Sequence, residues 1–118
     1  MYIIPKRRRA WFANHPALNH SNERKVIEMK AVIVRTYSAG VHFGYLARRE
    51  GKEVDLIKSR RIWSWQGANT LSEIATVGLD SKRSRVAVPV SITLTEAIEI
   101  IDCTHAGVAA IEASEWSR

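Results

Sequence analysis

From residue 30 onward, short apolar runs alternate with turn residues. Residues 30–37 are rich in β-branched and aromatic side chains and read as a strand. Ser38-Ala39-Gly40 turns the chain, and residues 41–48 form a second strand. Val41, Phe43 and Tyr45 alternate onto one of its faces; His42, Gly44 and Leu46 take the other. Glu50-Gly51-Lys52 makes a hairpin into a third strand at 53–58, so the first half is a β-meander. Residues 59–65 read as a fourth strand on which Trp63 and Trp65 share a face, with Ile62 and Ser64 opposite. Gln66-Gly67 breaks it.

Asn69 or Thr70 then caps a short helix over 70–77, and Glu73 completes a capping box. Leu71, Ile74, Ala75 and Leu79 supply its apolar stripe, and Gly78 ends it. After the basic loop 80–85, even positions from Val86 to Ile100 are apolar almost throughout, the period of a half-buried strand. Pro89 places its start on an edge or at a bulge, and Thr95-Glu96-Ala97 bends it or begins another strand. Thr104 caps a last helix reaching Ala113, with Val108 and Ile111 inward. Trp116 is expected to dock. The sum is an α+β domain: a mainly antiparallel sheet of five or six strands, of a size that often curls into a half-barrel, with two short helices.

Residues 1–28 show no such period. Pro5, Asn14, Pro16, Asn19, Ser21 and Asn22 interrupt them, and Trp11-Phe12 is the one strong apolar feature. Three readings stay open for this basic extension: an arm with Arg7, Arg8 and Arg9 on nucleic-acid phosphates, an arm docking Trp11 and Phe12 on a neighbouring subunit, or a stretch ahead of a true start at Met29. Residues 29–118 form one domain.

Composition adds limits. The chain has 118 residues, 46% hydrophobic and 25% charged, as in ordinary soluble domains. No apolar run approaches the ~18 residues of a membrane span, and no signal-peptide core follows the basic start. The single cysteine, Cys103, forbids an intrachain disulfide, and the expected compartment is the cytoplasm, of a host cell if the gene is viral. The net charge is +6 but unevenly spread. Residues 30–85 hold eleven basic and five acidic side chains, residues 86–118 one basic and five acidic. A basic half joined to an acidic half suits complementation within the fold or between subunits.

Catalytic patterns are weak. Cys103 and His105 straddle a strand-to-helix junction that does not aim them at one another. Glu96 and Asp102 share a strand face while Glu99 takes the other, a poor acid–base arrangement. His15, His20, His42, His105 and Cys103 lack ligand spacing, and no glycine-rich phosphate loop is present, so neither metal nor cofactor nor enzymatic activity is expected. The stronger pattern is basic and aromatic: Arg48, Arg49, Lys58, Arg60, Arg61, Trp63 and Trp65, with Lys82, Arg83 and Arg85 in the following loop. Such a set suits an anionic partner, whether nucleic acid, a nucleotide or an acidic protein surface. The plainer account makes the tryptophans core anchors and the arginines a solvated face. Arg60 and Arg61 fall on opposite strand faces.

RTYSAGVHFG at 35–44, RRIWSWQGA at 60–68 and LTEAIEIIDCT at 94–104 resemble a family of small proteins from tailed bacteriophages and prophages that has no assigned activity. Asp102 stands where that family usually has proline. The resemblance covers residues 29–118 and implies a phage setting. It suggests a non-enzymatic binding protein for counter-defence or host takeover; the alternative is a structural or assembly protein forming a homo-oligomer.

Overall fold

The computed structural model describes residues 29–115. The expectations for residues 1–28, including Trp11, Phe12, His15 and His20, and for Trp116 lie outside the described residues. The elements run β1 (Ala31–Thr36), β2 (Val41–Glu50), β3 (Glu53–Ser64), α1 (Leu71–Thr76), β4 (Arg85–Val86), β5 (Val90–Leu94), β6 (Ala97–Asp102) and α2 (His105–Glu112). The class is α+β: six antiparallel strands in one unclosed sheet, with two short helices.

The sheet order is β4-β3-β2-β1-β6, and β5 also pairs with β3. Leu94 in β5 lies against Val54, and three residues later Ala97 in β6 lies against Thr36. Residues 90–102 therefore pass from the β3 edge to the β1 edge through Thr95-Glu96. The sheet must curl to allow this, and the Ala97 N–H donates across it to the Lys52 carbonyl at 3.0 Å.

Curling gives the sheet two buried faces. Val32, Val34, Val54, Leu56 and Leu94 form one core inside the curl. Ile33, Phe43 and Ile62 pack with Ile74, Ala75 and Leu79 of the α1 region, Val86 and Ile111 on the other. This explains why three consecutive β1 residues, Val32, Ile33 and Val34, are all fully buried.

Two expectations are corrected here. The third and fourth strands are one twelve-residue strand, β3. Its register against β2 shifts where Lys58 and Ser59 together oppose Gly44, and Lys58 has a φ of 51°. That β-bulge reverses the inward face instead of ending the strand. Leu56 enters the inner core, whereas Arg60 and Ile62 turn beneath the helices. Gly44 is tied to the same device: a Cβ there would meet Leu56 Cβ at 3.0 Å and Ser59 Cα at 3.2 Å. The second correction concerns Trp63 and Trp65, which do not share a face. A further register shift between Ile62 and Ser64 separates them, leaving Trp63 44% exposed and Trp65 packed on the helix-side core.

Local signals agree with the structure elsewhere. Thr70 Oγ1 accepts from the Glu73 N–H at 3.1 Å, capping α1, and Thr104 Oγ1 accepts from Gly107 at 3.2 Å, capping α2. Glu73 returns its carboxylate to the Asn69 N–H at 3.4 Å. Among the described residues no helix is long and apolar enough to cross a membrane.

Candidate anion-binding surface

The structure divides the basic residues by what holds them. Arg48 lies on β2 among three carboxylates: its Nε donates to Asp55 at 3.1 Å, Nη1 to Glu50 at 2.8 Å, and Nη2 to Glu53. It is an internal ion cluster with little left for an outside anion. Arg49 points outward and donates from Nε to the Gly51 carbonyl at 3.1 Å. Lys58 is half-buried at the bulge.

Arg60 is buried at 5% exposure. Its Nε donates to the Ala87 carbonyl at 2.8 Å, Nη1 to Ile111 at 3.1 Å, and Nη2 to Ser114 at 3.0 Å. The helix α2 carries no basic residue in its last turn, and Arg60 supplies the missing cation from β3. The expected role of Arg60 at an external partner is thereby corrected: the bulge at Lys58 turns its even-numbered position inward, where it clamps α2 to the β4 segment.

Arg61 takes the opposite face and is exposed. No hydrogen bond or ion pair holds its guanidinium among the described residues. It sits across from His42, which is 1% exposed and shares a 2.9 Å hydrogen bond with the Ala39 carbonyl. Burial lowers the imidazole pKa below its ordinary 6.5, the Ala39 bond works against this, and the Arg61 charge lowers it further.

Two residues beyond Arg61, the exposed Trp63 ring carries the Arg85 guanidinium, 4.9 Å from its centroid. Arg85, expected in the loop 80–85, belongs to β4 and pairs with Ser64. The alternation that starts at Val86 was a signal that the strand begins nearby. Arg83 differs, since its Nε donates to Asp80 at 2.9 Å. Of the predicted set, then, Trp63 carries Arg85 on its ring, and Arg61 is exposed two residues before it on the same strand. Arg48, Arg60 and Trp65 do not join them.

The family model described as Domain of unknown function (DUF6948) matches residues 29–111. The chain belongs to this family. No curated protein and no solved structure matches it.

Cys103 lies half-buried in a cleft of about 400 Å³ with Tyr45, His105 and Val108. Burial, with the Asp102 charge beside it, pushes the thiol up to about 12, so it stays protonated at neutral pH. Trp65 lines a separate cleft of about 420 Å³ with Arg35, Leu71 and Glu99. Among the described residues no group of three or more His, Cys, Asp or Glu is placed to hold a metal ion.

Proposed function

We propose that this DUF6948 protein is a non-enzymatic binding protein of a tailed bacteriophage or prophage, acting in counter-defence or host takeover. Its contact with an anionic partner runs through Arg61, Trp63 and Arg85. The observation that carries this reading is the Arg85 guanidinium stacked on an exposed Trp63, two residues from an Arg61 that no carboxylate holds among the described residues. An exposed tryptophan with unneutralised guanidinium groups offers stacking and charge together. Single-stranded nucleic acid uses both, with base stacking on an aromatic ring contributing roughly 1–3 kcal/mol per base.

The test is a titration of the protein with a single-stranded oligonucleotide, read by fluorescence anisotropy at several salt concentrations. Arg61→Ala and Arg85→Ala are each expected to weaken binding about fivefold or more and to flatten the salt slope. Binding that neither substitution weakens, or no binding at low salt, would overturn the nucleic-acid reading. A second reading, assembly into a homo-oligomer, draws on the edge of β6, which no strand among the described residues pairs.

A further inference from the structure

We infer that β6 is the edge through which two copies of this chain pair, strand against strand, in a two-fold dimer. The inference builds on the assembly reading and is independent of the Trp63 surface.

The backbone comes first. The Cys103 N–H donates to the Ala31 carbonyl at 2.9 Å, which sets the phase of the β1–β6 ladder. Ile101 and Glu99, two and four residues earlier, then also turn their backbone groups toward β1, in register with Ile33 and Arg35. Ile100 and Asp102 turn theirs the other way. Among the described residues no strand lies on that side, because β6 ends the sheet. Sheet edges are ordinarily blunted by proline, lysine or a covering element. The opposite edge has Pro89 and Arg85; β6 has neither, and its Ile98 is 52% exposed.

Charge then selects a second copy as the occupant. A cleft of about 460 Å³ runs between residues 97–100 and the β2–β3 turn, where Arg49 and Lys52 stand. An antiparallel pairing centred on Ile100 sets Ile100 against its own equivalent and Ile98 against Asp102 of the second copy. That places an acidic side chain at the end of the cleft that holds Arg49 and Lys52. Acid on the inserted strand and base on the receiving wall belong to the same surface, the self-complementarity a two-fold interface requires. Asp102 is 65% exposed in its 2.9 Å pair with Lys30, so it can take a second cation without being uncovered first.

Sedimentation equilibrium of the full chain, over about a hundredfold range of concentration, reads the mass. The expected value rises toward twice 13.3 kDa. Asp102→Pro removes an outward N–H together with the carboxylate and its Lys30 pair, and is expected to weaken the dimer at least tenfold, because symmetry deletes the backbone bond twice (a net bond contributes about 1 kcal/mol). Asp102→Asn keeps that N–H and is expected to weaken it only about two- to fivefold, with less salt dependence. Amide hydrogen exchange on the unsubstituted chain covers the case in which the proline variant does not fold. Protection of the Ile100 and Asp102 amides should rise with protein concentration. A monomer at every concentration overturns both the dimer and the assembly reading. A dimer whose Ile100 and Asp102 amides exchange alike at all concentrations overturns the β6 interface alone and leaves assembly through another surface.

Discussion

Arg60 and Arg61 are adjacent, chemically identical and opposite in consequence. One is enclosed by carbonyls at the end of α2; the other is exposed, with no acidic partner among the described residues. Removing Arg60 leaves several buried carbonyls without a donor and uncaps a helix. Arg60→Met is therefore expected to lower the unfolding free energy by about 3 kcal/mol or more, and Arg60→Lys to recover little because an ammonium lacks the planar fork. Arg61→Ala should stay within about 0.5 kcal/mol. Urea denaturation of the three variants measures this, and equal losses at both positions would contradict the assignment. The sequence states that the two arginines face opposite ways, since alternation is local. It does not state which face is covered. That depends on the bulge at Lys58, a non-glycine residue at positive φ that carries no sequence mark.

At the scale of elements, the caps were legible and the pairings were not. Thr70 and Thr104 act within three residues of themselves, so their role can be read from spacing. The division of residues 86–102 among three strands on two sheet edges depends on β1 and β3, far away in the chain, and alternation alone cannot show it. The two helices meet in a similarly non-local way. The Thr104 N–H donates to the Ala75 carbonyl at 2.9 Å and its hydroxyl to the Thr76 carbonyl at 2.6 Å, so the start of α2 satisfies the end of α1. Gly107 permits that approach: a Cβ there would lie 2.1 Å from the Ala75 carbonyl oxygen. Gly107→Ala gains helix propensity, worth about 1 kcal/mol, yet must push the two helices apart. A net loss of about 2 kcal/mol or more is expected, seen as a lower melting temperature. The exposed Ala109→Ser on the same helix is the control, and a Gly107→Ala protein as stable as that control would refute the close-packing argument.

For the whole molecule, the uneven charge visible in the sequence resolves into two edges of one sheet. Arg61, Trp63 and Arg85 stand where β3 meets β4, and β6 with its acidic residues closes the other end of the strand order. The internal pairs between take up acid more than base, because Arg48 is matched by Asp55, Glu50 and Glu53 and Arg83 by Asp80. Net charge alone therefore understates how basic the remaining surface is. If the two edges work separately, their substitutions should combine additively, as they do for groups more than about 7–10 Å apart with no shared partner. Arg61→Ala with Arg85→Ala should weaken oligonucleotide binding and leave the sedimentation mass unchanged. Asp102→Pro should lower the mass and leave binding per chain unchanged, and the triple variant should show both defects at their separate sizes. A mass change caused by the arginine substitutions would mean that the Trp63 edge is itself part of the subunit contact. A loss of per-chain binding in Asp102→Pro would mean that two copies build one site.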